Sequence, residues 1–278
     1  MEIQKLKNQI IINGNFDIKS TLECGQIFSF FEKSENNFVV VSTNKVAEIE
    51  YSQQKTIIKT DDSDYFYNFF DLQTNYEQIK KDIIKLCPKF EMFIKRDLRI
   101  LKQNPHQTII SFIVSANNNI KRIKLILNKI CQKCSDYLPK ANCYAFPTLE
   151  QLSILSTQDY KDLGAGYRSD YLYQSVKLLQ SPEFDINVLK TLSTPELKNK
   201  LLKLKGVGPK VADCILFFGF SRTDAFPTDT WIRKAYYQFF DCGKKTDEQI
   251  SAYFCNIFKN LSGYAQQYLY DYMLNIQQ

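Results

Sequence analysis

Leu204-Lys205-Gly206-Val207-Gly208-Pro209-Lys210-Val211-Ala212-Asp213-Cys214 is the stretch on which the fold turns. Upstream of it, Thr194 is placed to cap a helix whose first residue is Pro195, with Leu197, Leu201 and Leu204 on its buried face. Gly206-Val207-Gly208 ends that helix. Pro209 opens the next, with Val211, Cys214, Ile215 and Phe218 on its apolar side. The pattern is helix, tight hairpin, helix. Two glycines flanking one apolar residue let the backbone turn sharply and approach a ligand closely. The free N–H groups of the new helix then face an anion, a nucleic-acid phosphate being the candidate, although a plain helix connection has the same pattern. The segment is too short for a nucleoside-triphosphate loop.

Lys210 falls in the first turn of the second helix, where the positive end of the helix dipole disfavours an ammonium. If also desolvated, such a lysine is expected to have a lowered pKa and to supply a neutral amine, a nucleophile able to form a Schiff base. A solvated surface lysine is the plain alternative. Further on stands Asp229, within Phe226-Pro227-Thr228-Asp229-Thr230. It is placed to cap a helix carrying Ile232, Ala235, Tyr236 and Phe239. Capping explains it fully, yet a carboxylate fixed there could also face Lys210 and steady positive charge on a sugar ring.

Working outward, the 278 residues suit one large domain or two modest ones, and 44% hydrophobic with 14% aromatic content describes a folded chain. The net charge of +6 fits a polyanionic partner without requiring one. Short β-branched runs at Phe38–Thr43, Val46–Tyr51 and Thr56–Thr60, within a β-rich region from about residue 15 to 70, predict an antiparallel sheet. From about residue 76 the period becomes helical, as in Ile120, Ile123, Leu127, Ile130 and Cys134. The expected class is α+β, with an antiparallel β domain over residues 1–85 and a helical domain over 86–278. No apolar run approaches the ~20 residues of a membrane span. The first residues, Met1-Glu2-Ile3-Gln4-Lys5, lack a signal-peptide core, so an intracellular, cytoplasmic protein is expected. Eight scattered cysteines, Cys242 among them, read as buried thiols, and Cys131 and Cys134 as part of a helical stripe and not a zinc site. The one histidine, His106, excludes any mechanism needing two.

The hairpin with Lys210, and Pro227-Thr228-Asp229 after it, resemble the helix-hairpin-helix DNA glycosylases with their catalytic lysine and aspartate. The lysine marks the bifunctional branch, which joins base excision to strand-cleaving lyase activity. Other segments are similar to the 8-oxoguanine DNA glycosylases, over nearly the whole chain. Cys24-Gly25-Gln26-Ile27-Phe28 resembles the turn whose glycine carbonyl, here that of Gly25, accepts a hydrogen bond from the protonated N7 of 8-oxoguanine. Ser115-Ala116-Asn117-Asn118-Asn119-Ile120-Lys121-Arg122 resembles the loop in which Asn117 would fill the hole left by the base and Arg122 contact the orphaned cytosine. The run from Lys102 to Cys134 has no acidic residue, which fits a phosphate-facing surface. In Gly164-Ala165-Gly166-Tyr167-Arg168, Tyr167 would wedge the stack and Arg168 read the cytosine. In Gly263-Tyr264-Ala265-Gln266-Gln267-Tyr268-Leu269-Tyr270, Gln266 would bond the Watson–Crick edge and Tyr270 stack opposite Cys214.

The resemblance implies that Gly206 and Gly208 grip the backbone, Lys210 attacks C1′, Asp229 steadies the sugar, and Trp231 touches phosphate. It implies a monomer acting on double-stranded DNA that contains 8-oxoguanine, with no metal and no organic cofactor. The chain departs from the family pattern in three places. Trp231 stands where members often have histidine, Ser29-Phe30 where Arg-Trp often follows the turn, and Tyr270 where a phenylalanine is usual. The C-terminal four-cysteine cluster of related iron–sulfur glycosylases is absent, Cys255 being the last cysteine. The competing readings are a glycosylase of the same family for another damaged base, and a non-catalytic DNA-binding module.

Overall fold

Alternation of apolar and polar residues builds the N-terminal sheet. In the computed structural model, which describes residues 1–240 and 243–276, the strands are β1 (Glu2–Leu6), β2 (Gln9–Asn13), β3 (Phe30–Ser34), β4 (Asn37–Ser42), β5 (Lys45–Tyr51) and β6 (Lys55–Thr60). They pair antiparallel in the order β1-β2-β6-β5-β4-β3. The register aligns Phe38, Ile49, Ile58 and Ile10 across four strands, and all four are buried. A one-residue slip would turn that row to solvent, so burial itself holds the register. The helices α1 (Ile18–Glu23) and α2 (Ser63–Phe69) contribute Ile18, Leu22, Phe66 and Phe69 to the same core. The three expected strands lie within one residue of β4, β5 and β6, whereas the β1–β2 hairpin begins well before the expected β region.

The remaining helices are α3 (Tyr76–Leu86), α4 (Pro105–Ser115), α5 (Ile120–Cys134), α6 (Leu149–Ser153), α7 (Thr157–Asp162), α8 (Arg168–Leu179) and α9 (Ile186–Thr191). After them come α10 (Thr194–Leu201), α11 (Pro209–Cys214), α12 (Thr230–Phe239), α13 (Asp247–Phe258) and α14 (Ser262–Asn275). Helix α5 buries Ile123, Ile126, Leu127 and Ile130, as its period requires. Cys131 and Cys134 are half-buried on its flank, and burial pushes their thiols up to about 12 and about 11. Cys242 lies outside the described residues. No helix among the described residues is long and apolar enough to cross a membrane.

Two expectations around the hairpin need correction. Ser193, not Thr194, caps α10, because the Glu196 carboxylate reaches back to accept from the Ser193 amide at 2.9 Å and hydroxyl at 2.6 Å. The helix also stops at Leu201, so Leu204 sits in an intervening turn, though still buried. Helix α11 is short because Ile215–Gly219 continues as a π-turn, which no sequence period announces.

Helix α14 is seated by Gly263, where an added Cβ would lie 2.4 Å from Phe217 Cε2. Gly263→Ala is therefore expected to cost about 1–3 kcal/mol through overpacking. Thermal melts should show Phe217→Leu restoring part of that loss in the double variant, since it removes the opposing ring edge.

Candidate active site

The hairpin places Lys210 through two glycines with opposite demands. Gly206 has φ +83°, and an added Cβ would lie 2.5 Å from Tyr171 Cδ2, so only glycine fits. Gly208 is exposed and caps α11, and a Cβ there would meet nothing within 4 Å. Val207 is buried between them and anchors the hairpin to the core. Pro209 then opens α11, and Lys210 follows, half-buried.

Asp229 arrives from the other side. Phe226 is fully buried and stacks on Phe254 at 4.6 Å, which holds the segment in place. One oxygen of Asp229 accepts from the amides of Trp231 at 2.9 Å and Ile232 at 3.0 Å, so it caps α12 as expected. Lys210 and Asp229 line one cavity together with Gly25, Cys214, Gln266 and Tyr270. Six residues scattered from 25 to 270 thus converge. Cys24, Phe112, Phe218, Pro227 and Gln267 complete the walls.

This cavity is narrow. It encloses about 40 Å³, roughly the space of one water molecule. Gly25 has φ +77°, and the Tyr270 hydroxyl lies only 3.4 Å from where a Cβ would stand. A planar ring of purine size enters only if Tyr270 yields. The Gln266 side chain is 5% exposed, yet its Oε1 is buried with no hydrogen-bond partner among the described residues. An unsatisfied buried acceptor is costly and calls for a donor from a ligand.

The electrostatics correct the expected lowering of the Lys210 pKa. The Cys214 sulfur beside the amine, and then the Asp229 carboxylate, favour the ammonium by more than burial disfavours it, so the group is held above the ordinary lysine value. Burial raises the Asp229 carboxyl despite its two amide donors and Lys210, and pushes the Cys214 thiol up to about 11. The Lys210 amine, the Asp229 carboxyl and the Cys214 sulfur therefore share their protons, and the charge on each depends on the other two. The Lys210 Nζ also lies 5.8 Å from the centre of the Phe112 ring.

A second group of expected residues forms a braced surface. Asn119 caps α5 through Arg122 N at 2.9 Å, and Asn118 donates to Val114 O at 3.1 Å. Asn117 is exposed, at φ +49°, as is the cap residue Asn119. Arg168 is buried, and its guanidinium donates to Ala116 O at 2.7 Å and Asn117 O at 2.7 Å. It also lies 4.4 Å from the Tyr167 ring, whose hydroxyl donates to Ala116 O at 3.2 Å. Arg168 thus holds the Asn117 loop from behind, while Tyr167 and Arg122 are exposed. The Tyr167 ring meets Tyr171 at 5.7 Å, and Tyr171 backs Gly206, which ties this surface to the hairpin. Trp231 begins α12 beneath the Lys234 ammonium, 4.7 Å from its ring.

Several working residues escaped the sequence reading. Gln26 is fully buried and donates to Thr21 O at 2.7 Å and Arg99 O at 2.8 Å, while accepting from Leu101 N at 2.8 Å. These bonds fix the Gly25 turn against the helical part. Gln267 donates to Cys24 O at 3.0 Å from α14. Phe112 and Phe218 stack at 5.6 Å as one wall of the cavity. Only the adjacency of Gln26 to Gly25, and of Gln267 to Gln266, offered any signal.

Comparison with known proteins follows this geometry. A family model for the 8-oxoguanine DNA glycosylase N-terminal domain matches residues 9–109, and one for HhH-GPD superfamily base excision DNA repair proteins matches residues 110–260. An N-glycosylase/DNA lyase of Saccharomyces cerevisiae is 30% identical over 177 residues, covering 59% of this chain and 45% of that one. A probable N-glycosylase/DNA lyase of Methanothermobacter thermautotrophicus is 28% identical over 225 residues, covering 73% and 72%. The chain thus matches less than half the length of the yeast relative. A crystal structure of the Clostridium acetobutylicum 8-oxoguanine glycosylase/lyase, in complex with double-stranded DNA containing cytosine opposite 8-oxoG, superposes with a TM-score of 0.93 at 32% identity, covering 100% of this chain and 99% of that one.

Behind Tyr270 lies Asp271, buried against Arg96 at 3.4 Å, and burial pushes its carboxyl from 3.8 up to about 6. The folded chain therefore takes up this proton before the unfolded chain does, and stability falls as pH rises from about 4 to about 6. Asp271→Asn is expected to raise stability at pH 7.5 by about 1–3 kcal/mol, with the gain gone at pH 4. Denaturant melts at the two pH values check this.

Proposed function

The chain belongs to the HhH-GPD superfamily of base excision DNA repair proteins, and from that premise we propose that it is a bifunctional glycosylase and abasic-site lyase that removes 8-oxoguanine from duplex DNA. The observation that carries the reading is the convergence of Lys210, Asp229 and the orphaned Gln266 acceptor on one desolvated cavity. The match of residues 9–109 to the 8-oxoguanine glycosylase N-terminal domain, and the full-length likeness to the Clostridium enzyme, support the lesion. On this reading the protein acts as an intracellular monomer.

Extruding a base costs a few kcal/mol of stacking and pairing. Asn117 and Tyr167 hold the gap, Arg122 meets the cytosine left behind, joined by Arg168 once its guanidinium leaves the Ala116 and Asn117 carbonyls, and Gly206 and Gly208 with neighbouring amides bind the backbone near Trp231. The base displaces Tyr270 and lies between it and Cys214. The Gly25 carbonyl accepts from N7–H, the atom that separates 8-oxoguanine from guanine, and Gln266 meets the Watson–Crick edge.

As the C1′–N bond breaks, its electron pair leaves on the base, and the Lys210 ammonium gives up a proton to it. The freed amine lone pair then bonds to C1′, while the Asp229 carboxylate stabilises the cationic sugar. Ring opening gives the imine. Loss of a proton from C2′ then expels the 3′ phosphate by β-elimination.

Borohydride should trap the wild-type protein covalently on an 8-oxoguanine:cytosine duplex and not on undamaged DNA. Lys210→Gln is expected to bind the lesion duplex but to lose trapping and to lose excision by about 10³-fold or more. Excision retained by that variant would remove the lysine from the mechanism. A panel of other lesions decides the substrate.

A further inference from the structure

A second cavity, far larger than the catalytic one, opens between the edge strand β3 and helix α5, and encloses about 800 Å³. Small-molecule sites typically span roughly 300–1,000 Å³. Its walls are aromatic, with Phe30 on the strand side, Phe146 at the base, and Tyr137 and Tyr144 closing one end with their rings 5.2 Å apart. Lys124, Asn128 and Gln132, four residues apart on α5, present one polar row to the groove.

Lys124 is the unusual member of that row. Its ammonium sits 3.2 Å from the centre of the Phe30 ring and is bridged by no carboxylate among the described residues. Burial lowers it to about 8, with the charge of Glu23 opposing. Glu32, the acid lining the groove, is exposed at its rim. A partly desolvated cation without a counter-ion is unfavourable, and an anion entering the groove relieves it. The Asn128 and Gln132 amides likewise have no side-chain partner among the described residues and can meet polar edges.

We propose that this groove is a ligand site for a planar aromatic molecule carrying one negative charge, with the anion on Lys124 and the ring between Phe30 and the tyrosine pair. It is separate from the catalytic cavity but shares a wall with it. Phe28 lines the groove, and its ring meets Phe112 of the catalytic cavity edge-on at 5.6 Å.

The fluorescent probe 8-anilino-1-naphthalenesulfonate has this chemistry, and N-phenyl-1-naphthylamine has the same rings without the charge. The wild-type protein should bind one sulfonate probe saturably. Lys124→Met should weaken the sulfonate about tenfold while leaving the uncharged probe within twofold, a pattern that general loosening of the fold would not give. Asn128→Trp, which fills the groove, should abolish both signals with the melting temperature kept. Sulfonate binding unchanged in Lys124→Met, or both probes bound normally by Asn128→Trp, overturns the proposal.

Discussion

A desolvated ammonium is costly unless a fixed counter-charge lies beside it, and this constraint organises the catalytic cavity. Lys210 meets it through Asp229, whose carboxylate is held by two free amides in the first turn of α12, those of Trp231 and Ile232. One side chain therefore ends a helix and balances a buried charge. Everything that sets the start of α12 also sets the distance between acid and amine, including Pro227 and the Phe226–Phe254 stack. On the other side, the contact of Gly206 with Tyr171 fixes where α11 begins. The π-turn after Cys214 then lets the short helix deliver Lys210 and Cys214 to the cavity while its continuation packs in the core.

The sheet domain lends the catalytic cavity its glycine. Gln26 is the joint, since its amide joins two carbonyls and one amide from either side of the chain's two parts. Gly25 is thereby held at a positive φ that other residues resist, with the Tyr270 hydroxyl 3.4 Å from where a Cβ would stand. Such a turn left on a free loop would recognise nothing reliably; here three buried hydrogen bonds give it a single position.

Lys210 and Asp229 were legible in the sequence because each sits at a helix start, where local rules assign capping residues and dipole positions. The three central strands were legible for a similar reason, their β-branched runs being bounded by polar turns. The charge state of Lys210 was not. The helix dipole is a local property and argues for a neutral amine, but the sulfur and carboxylate that reverse the balance come from tertiary packing. Phe112, Phe218 and Gln267 escaped for the same cause, since apolar and amide residues on helices read as core until the opposing wall is known. The three asparagines at 117–119 divided as local rules allow only in hindsight, Asn118 and Asn119 bonding to helix ends and Asn117 standing exposed at a positive φ.

The narrowness of the catalytic cavity bears on life outside repair. An accessible nucleophilic lysine would condense with sugars, ketones and metabolic aldehydes that never lie in a helix stack. Here such small carbonyl compounds find space for little more than a water molecule, and an amine already carrying its proton. The same narrowness that a substrate base must overcome keeps the Lys210 amine from glycation.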